Sequence, residues 1–588
     1  MKIAVVNQKK CHPKQCSYEC IKYCPRVRTG DETIIKNEYG KIIISENLCV
    51  GCGICIKKCY FNAIDIIGLP ESLNTPTQRY GENGFALFGL PIPKKEKVIG
   101  ILGPNGIGKS TALKIIFGMI IPNFGEKSCS KEKVLINYSG TQLYDYFEKL
   151  YKNNIKLSQK PQYIDLIPKI FSGTVRELFN SNNLNKEKLD SIIKKLNLRY
   201  ILNQNVNTLS GGELQRVAIA ICSSKDADIY LFDEISSYLD IFQRIQVSKI
   251  IKDISLSKSV IVIEHDLALL DLLADTINII YGKPSVYGVI TLPKSTRIGI
   301  NQYIDGYLKE ENIRIRKDKI KFEEHPPKIE KNIKTLFSYQ PFNEKIGNFQ
   351  ISSDGGTLQK GEIVGIVGPN GIGKSTFIKM ISGIIPLNNS IINNQYTISY
   401  KPQYIKPDKD ILVKDLFFNI NPTIMNTSYF EVEFEKPLEL NDLYNSSILN
   451  LSGGELQRIA ITASLIKNAD LYLIDEPSAH LDVEQRSNIT KVIHRFTENN
   501  KKTTIIIDHD IYMIDMLSSR LIVFDGIPSI NGHATKPMSM KDGMNKFLKT
   551  LDITFRRDED TKRPRINNYL SRLDRKQKQN NNYYYILK

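Results

Sequence analysis

The chain has 588 residues, too many for one hydrophobic core, because single domains run to about 100–200 residues. With 41% hydrophobic and 24% charged residues it has the composition of a globular protein. No run of about 18 uncharged apolar residues encodes a membrane span, and the opening Met1-Lys2-Ile3-Ala4-Val5-Val6-Asn7 turns polar too soon for a secretory signal. The formal charge of +17 favours a polyanionic partner such as RNA, since lysine and arginine contacts to phosphate release counterions; a lysine-rich solvated surface has the same composition.

Eight of the ten cysteines precede residue 60, in two runs: Cys11, Cys16, Cys20 and Cys24, then Cys49, Cys52, Cys55 and Cys59. The second run has the spacing with which bacterial ferredoxins hold a 4Fe-4S cluster. In two-cluster ferredoxins the fourth cysteine of each run serves the other cluster. That resemblance assigns Cys11, Cys16, Cys20 and Cys59 to one cluster, and Cys24, Cys49, Cys52 and Cys55 to a second. The alternatives are two structural zincs and a disulfide framework, which nothing pointing to secretion supports. Tyr60 follows Cys59 where a proline is usual, as Pro25 follows Cys24; the turn is less constrained, but no ligand is lost. Cys129 and Cys222 stand apart and are expected to be ordinary buried or half-buried thiols.

Val98–Leu102 is a short apolar run opening directly into Gly103-Pro104-Asn105-Gly106-Ile107-Gly108-Lys109-Ser110-Thr111, a phosphate loop between a strand and a helix. Its glycines let backbone N–H groups approach phosphate, Lys109 reaches the β and γ phosphates, and Ser110 offers its hydroxyl to Mg2+. Upstream, Tyr80 and Phe85 are candidates to stack on adenine, or else core aromatics. Downstream, residues 141–151 carry apolar side chains at helical spacing within an insertion near 130–153. The spacing predicts a helical projection, with a plain surface loop as the alternative. Then come Lys160-Pro161-Gln162, the stretch Leu209-Ser210-Gly211-Gly212-Glu213-Leu214-Gln215-Arg216, an apolar run delivering Asp233-Glu234, and another delivering His265.

The same parts recur in the same order: Ile363–Val367 into Gly368-Pro369-Asn370-Gly371-Ile372-Gly373-Lys374-Ser375-Thr376, then Gln403, then Leu451-Ser452-Gly453-Gly454-Glu455-Leu456-Gln457-Arg458, Asp475-Glu476 and His509. A repeat this long means two homologous domains, not a solenoid. The phosphate loop, the Ser-Gly-Gly stretch and the Asp-Glu pair together resemble the nucleotide-binding cassettes of ABC ATPases. The resemblance implies ATP and Mg2+ as ligands, with Asp233 and Asp475 toward the metal and Gln162 and Gln403 contacting metal and attacking water. It further implies Glu234 and Glu476 as general bases, His265 and His509 as sensors of the γ phosphate, and Asp240 and Asp482 in loops touching the opposite cassette. Such cassettes pair head to tail. Lys109 and Ser110 are therefore expected to share a site with Ser452 and Gly454, and Lys374 and Ser375 with Ser210 and Gly212. Ile235 replaces the usual proline after Glu234, and Asp508 stands where the first copy has Glu264.

The expected division is a ferredoxin-like iron–sulfur domain over 1–74, a first cassette over 75–293, a basic hinge over 294–330, a second cassette over 331–533 and a basic tail over 534–588. The fold class is α/β: two ABC-type P-loop ATPase cassettes in tandem, preceded by a small α+β two-cluster domain. The hinge carries Arg297, Arg314, Arg316, Lys317, Lys319 and Lys321 before Pro326-Pro327. The tail carries Arg556, Arg557, Arg563 and Arg565 and ends in residues expected to fray. This order of parts is similar to ABC subfamily E, the RNase L inhibitor family. The resemblance implies a soluble monomer of the cytoplasm, with the nucleus a further location, whose cassettes pair within one chain and which needs no membrane. It implies ribosome recycling: binding to the small subunit and its RNA, meeting a peptide-chain release factor or its rescue paralogue, and splitting the subunits by ATP-driven closure. Initiation factors are further partners in that family, and the insertion and basic hinges would contact ribosomal RNA. Two other readings are the ATPase of a membrane transporter, which leaves the clusters without a task, and an ATP-gated iron–sulfur electron carrier.

Overall fold

The computed structural model describes residues 2–8, 10–68, 75–182, 184–322, 334–385, 396–403, 405, 407 and 410–584. Pro326-Pro327, the expected boundary at residue 331 and the last four residues lie outside them.

Each cassette is built on five parallel strands. In the first the spatial order is Leu157–Lys160, Ile229–Asp233, Ser259–Ile263, Val98–Leu102, Thr276–Lys283. In the second it is Ile398–Lys401, Leu471–Asp475, Thr503–Ile507, Ile363–Val367, Arg520–Ile527. The central strands are near-continuous aliphatic runs, buried at every residue, as expected for parallel strands covered on both faces. Because neighbouring strands run the same way, their C-terminal ends bring the glycine loop, the Asp-Glu pair and the histidine side by side at one edge of the sheet, where α/β folds place their ligands. The fifth strand then turns the sheet antiparallel by pairing with Tyr287–Ile290 in the first cassette and Asn531–Ala534 in the second.

In the insertion, helices Lys131–Asn137 and Gln142–Tyr151 form a pair that lies on the helix following the first glycine loop. Phe147 is fully buried, Val134 lies in the same cluster as Ile115 and Ile116, and the Tyr146 hydroxyl donates to the Ile116 carbonyl. The insertion is therefore an added layer of the cassette core with one outer face, on which Ile136 is exposed.

The cysteine-rich beginning pairs Lys2–Val6 with Ile64–Gly68 and Ile34–Lys36 with Ile42–Ile44, with short helices at Glu19–Lys22, Pro25–Arg28 and Ile54–Lys58. Its core cluster is small: Ala4, Val6, Ile34, Ile42, Ile44 and Ile64 around Cys20, Cys24 and Cys55. So small a core does not stabilise a domain unaided, and the domain leans on the first cassette through Asn83. That side chain is buried on a left-handed residue (φ +53°). Its amide donates to the carbonyls of Ala4 and Ile44 at 2.9 Å and accepts from the Ile44 N–H at 2.7 Å. Arg79 adds an ion pair to Glu46.

The hinge and tail depart from expectation. Within 294–322 the chain forms helix Thr296–Asp305 and the strand pair Tyr307–Leu308 with Ile313–Arg314. The tail forms helix Met540–Leu551, the strand pair Phe555–Arg557 with Pro564–Ile566, and helix Arg572–Gln579. The arginines expected to face RNA are largely engaged inside the protein. Arg563 is 0% exposed and donates to Asp271 of the first cassette and the Tyr512 hydroxyl of the second, at 3.3 Å each. Arg565 grips Asp271 with two bonds, at 2.8 and 2.9 Å. Arg297 pairs with Asp558 and Asp560, Arg557 with Asp515, and Arg316 donates to the Ile304 carbonyl. A guanidinium fork satisfies a buried carboxylate at two points, and composition alone does not distinguish that use from phosphate contact. Arg314, Lys317, Lys319 and Lys321 remain exposed, Lys319 beside Asp305. One hydrophobic cluster runs from Leu270 and Ile277 through Tyr303 of the hinge to Ile511 and Phe547.

Asp271→Ala leaves two guanidinium groups facing an empty carboxylate position, one of them wholly buried. Removing one member of a buried pair costs about 3–5 kcal/mol, and denaturant unfolding is expected to show a loss of that order. Lys319→Ala, which removes an exposed pair, is expected to cost less than about 1 kcal/mol.

Candidate active sites

Each glycine loop ends in a residue that must be glycine. Gly108 and Gly373 sit at φ +100° and +90°, and a Cβ on Gly108 would lie 2.7 Å from the Phe85 ring, one on Gly373 2.8 Å from Phe349. Phe85 is thus a half-buried support beneath the first loop, while Tyr80 is 47% exposed with its hydroxyl 3.3 Å from Thr111 Oγ1. Phe349 is the second cassette's counterpart of Phe85. Sequence reasoning missed it, although an aromatic at a similar distance ahead of each loop was the available signal.

Helices Lys109–Ile116 and Lys374–Ile381 start at these loops, so their N-terminal N–H groups face whatever anion the loop holds. Lys109 Nζ donates to the carbonyls of Gly103 and Pro104, both at 2.8 Å; Lys374 Nζ donates to Gly368 and Pro369 at 2.8 and 2.7 Å. Burial lowers both ammonium groups to about 8, against the pull of nearby carboxylates. Opposite them, burial and the adjacent Glu234 push Asp233 up to about 7, and burial and Asp475 push Glu476 up to about 7. Paired carboxylates in such a place are relieved by a cation. Ser375 Oγ donates to Asp475 Oδ2 at 2.7 Å, so a hydroxyl and a carboxylate already converge as hard oxygen donors suited to Mg2+.

Glu234 and Glu476 occupy left-handed backbone, φ +49° and +48°, a strained state for residues with a Cβ. Gln162 and Gln403 each donate to Oε1 of their glutamate at 2.6 Å. His265 is buried, with no hydrogen-bond partner for either ring nitrogen among the described residues; His509 Nε2 lies 3.6 Å from Glu476 Oε1. Burial, then the neighbouring Lys109 or Lys374, lowers both imidazoles well below their usual range. They are neutral, each able to offer one N–H to an incoming oxyanion.

The Ser-Gly-Gly stretches open helices Gly211–Ser224 and Gly453–Ile466, with Ser210 and Ser452 as N-caps in capping boxes with Glu213 and Glu455. Ser210 and Ser452 direct their hydroxyls to those glutamates, at 2.7 Å, and not to Lys374 or Lys109. The link across the cassettes is made by Asp240 and Asp482. Asp482 Oδ2 accepts from the Asn105 N–H at 3.2 Å and Asp240 Oδ2 from the Asn370 N–H at 2.8 Å. Gly212 and Gly454 lie so close to the carbonyls of Tyr238 and His480 that a Cβ would come within 2.9 Å. Each Ser-Gly-Gly stretch is thereby packed on the loop that reaches the opposite glycine loop, and the two cassettes face each other head to tail.

The cysteines lie in two neighbourhoods, around Cys20 and around Cys55. Burial pushes the Cys20 thiol up to about 12, with Cys59, Cys16 and Cys11 adding their charge; it pushes Cys55 up to about 11, with Cys49, Cys52 and Cys24 adding theirs. Cys24, Cys49, Cys52 and Cys55 line one cavity. Among the described residues no cysteines close round a point as a single-ion site requires; a four-iron cube takes each thiolate at a different iron.

Family models agree with this layout. One described as ABC transporter matches residues 92–237 and 352–479, one described as a possible Fer4-like domain in RNase L inhibitor matches 1–32, and one described as a 4Fe-4S binding domain matches 42–65. The chain is 43% identical to translation initiation factor RLI1 of Saccharomyces cerevisiae, covering 100% of this chain and 98% of the relative. It is 41% identical to ABC transporter E family member 1 of Arabidopsis thaliana, covering 100% and 99%. The chain belongs to the ABC E family. Among solved structures, a chain of a model of ribosome-bound archaeal Pelota and ABCE1 superposes with TM-score 0.94 at 46% identity, covering 100% of this chain and 99% of that one. As a member of the ABC E family the protein is an ATPase with iron–sulfur domains at its N-terminus.

Sequence reasoning also missed residues that hold these ABC E sites from behind. Gln215 and Gln457, within the repeated stretch, donate to the Glu234 and Glu476 carbonyls at 2.8 and 2.6 Å. Arg244 bridges Asp266 of its own cassette and the His509 carbonyl of the other. Each is a long polar side chain in an amphipathic helix, where sequence gives no sign of which way it points. Gly108→Ala, blocked by Phe85 and by φ, is expected to weaken nucleotide binding at the first glycine loop at least about tenfold. Occupancy of the second loop should be unchanged, as read by titration with a fluorescent ATP analogue.

Proposed function

We propose that this ABC E protein is a ribosome-recycling ATPase that binds the small subunit and a release factor or its rescue paralogue and separates the two ribosomal subunits. The observation that carries the reading is the reciprocal bond of Asp482 to Asn105 and of Asp240 to Asn370, which makes opening and closing of both sites one motion. The relatives support the partners. One solved structure, 47% identical with TM-score 0.83 and covering 87% of this chain and 99% of that one, is of archaeal ribosomal stalk protein aP1 with archaeal ribosome recycling factor aABCE1; the Pelota model above is ribosome-bound. The reading places the protein in the cytoplasm and extends to the nucleus and to initiation factors.

In each site Glu234 or Glu476 takes the proton of the attacking water as it adds in line to the γ phosphorus and the bond to the β–γ bridging oxygen breaks, ADP leaving; Gln162 or Gln403 fixes that glutamate and the water, and His265 or His509 offers a neutral N–H to the γ phosphate. Lys109 and Lys374 move from loop carbonyls to the β and γ oxygens. Ser452 with Gly454 covers the first site, and Ser210 with Gly212 the second. Mg2+, when bound, neutralises phosphate charge; Ser110 with Asp233 and Ser375 with Asp475 would hold it. Cys11, Cys16, Cys20 and Cys59 would hold one 4Fe-4S cluster and Cys24, Cys49, Cys52 and Cys55 a second; so cross-linked, the small domain would move as one body between the subunits when the cassettes move.

Anaerobically purified protein is expected to carry about eight irons, and Cys20→Ser and Cys55→Ser each to lose one cluster by iron content and electron paramagnetic resonance. With release factor and ATP the protein should convert assembled ribosomes to subunits on gradients. Glu234→Gln with Glu476→Gln should bind ATP, hydrolyse it at least about 100-fold more slowly and stay on the small subunit.

A further inference from the structure

The strands at the outer edge of each parallel core, Leu157–Lys160 and Ile398–Lys401, end in a lysine at a depth where an aliphatic residue is usual. Lys160 is 0% exposed and Lys401 1%. Lys160 Nζ donates to the Asp233 carbonyl at 2.7 Å and the Glu234 carbonyl at 3.1 Å; Lys401 Nζ donates to Asp475 at 2.6 Å and Glu476 at 3.3 Å. Both point at the backbone of the Asp-Glu turn, where the glutamate is held in left-handed conformation. Two residues on, Gln162 and Gln403 bond the same glutamate's carboxylate.

We propose that Lys160 and Lys401 are positioning residues that, with Gln162 and Gln403, grip the glutamate of each cassette at both ends, backbone carbonyl and carboxylate. The lysine and glutamine of each Lys-Pro-Gln triplet ride on one rigid segment, since the intervening proline fixes its own φ. A shift of that segment lengthens both bonds together, so the strand edge sets whether the glutamate stands in line with the water. An ammonium suits the task because it donates to two carbonyls at once from a long stem, and both carbonyls must turn the same way for the left-handed turn to form. Gln215 and Gln457 hold the Glu234 and Glu476 carbonyls from the other side. The inference rests on the reading of Glu234 and Glu476 as the bases.

The test uses the full-length protein with three sets of changes: K160M with K401M, E234Q with E476Q, and all four together. Misplacing a reacting group by about 1 Å costs up to about 100-fold. The methionine pair should therefore lower kcat at least about tenfold while the KM for ATP stays within about twofold. Because the lysines act only through the glutamates, the fourfold variant should hydrolyse no more slowly than E234Q with E476Q. Unchanged kcat in the methionine pair, beside an inactive glutamine pair, overturns the proposal; so does a further loss in the fourfold variant, or a loss of ATP affinity. Normal hydrolysis by E234Q with E476Q would instead overturn the assignment of the bases. Should the methionine pair fail to fold, K160Q with K401Q, polar but one bond too short to reach the two carbonyls, replaces it, and the same split of kcat from KM decides.

Discussion

Each cassette completes the other's phosphate loop with one carboxylate. Asp482 takes the N–H of Asn105 and Asp240 that of Asn370, while the other oxygen of each caps its own helix at 2.9 Å, through Gln485 and Gln243. A single aspartate thus ties the helix Val483–Asn500 or Ile241–Ser255 to the opposite glycine loop. The loop that presents it is bent through Tyr238 and His480, both left-handed at φ +63° and +62°, whose rings meet edge-on across the interface. Charge, cap and strain are concentrated on the few atoms that decide whether the two sites are closed.

The remainder of the interface keeps those atoms in register. Arg563 and Arg565 from the tail converge on Asp271 of the first cassette, and Arg557 holds Asp515 of the second. These are bidentate or fully buried contacts, the kind in which a guanidinium outperforms an ammonium. They join the tail to helix Leu267–Leu273 of the first cassette and helix Ile511–Leu517 of the second. The hydrophobic cluster running through the hinge makes this junction a packed surface and not a tether.

At the other end of the molecule the small domain has the opposite problem. Its few buried isoleucines cannot organise eight thiols, and burial, with repulsion from neighbouring cysteines added, drives Cys20 and Cys55 away from the thiolate form. Metal binding reverses that penalty, since iron holds thiolates, and binding energy then becomes folding energy. Asn83 is the protein's own contribution to order there. It replaces three backbone partners of the small domain's strands with one side chain, and it sits between Tyr80 and Phe85, next to the first glycine loop.

The motifs legible in the sequence were those whose chemistry demands particular residue types at short spacing. Gly103 to Ser110, Ser210 to Arg216, Asp233-Glu234 and the cysteine runs could be read directly, because a phosphate loop, a helix start and a thiolate set are local objects. The doubling of the motifs determined the two-cassette plan, and apolar runs located the strands Val98–Leu102 and Ile363–Val367. What tertiary structure decided was direction and partnership. The +17 charge suggested phosphate contacts, yet Arg563 turned inward, because a buried carboxylate from a residue 292 positions away was there to meet it. Lys160, Gln215, Phe349 and Asn83 are ordinary letters in their segments. They acquired their tasks only when separate strands brought a strained carbonyl, a glycine without a Cβ or an unpaired strand edge within about 3 Å of them. No local pattern encodes that, because the partner in each case comes from a distant part of the chain.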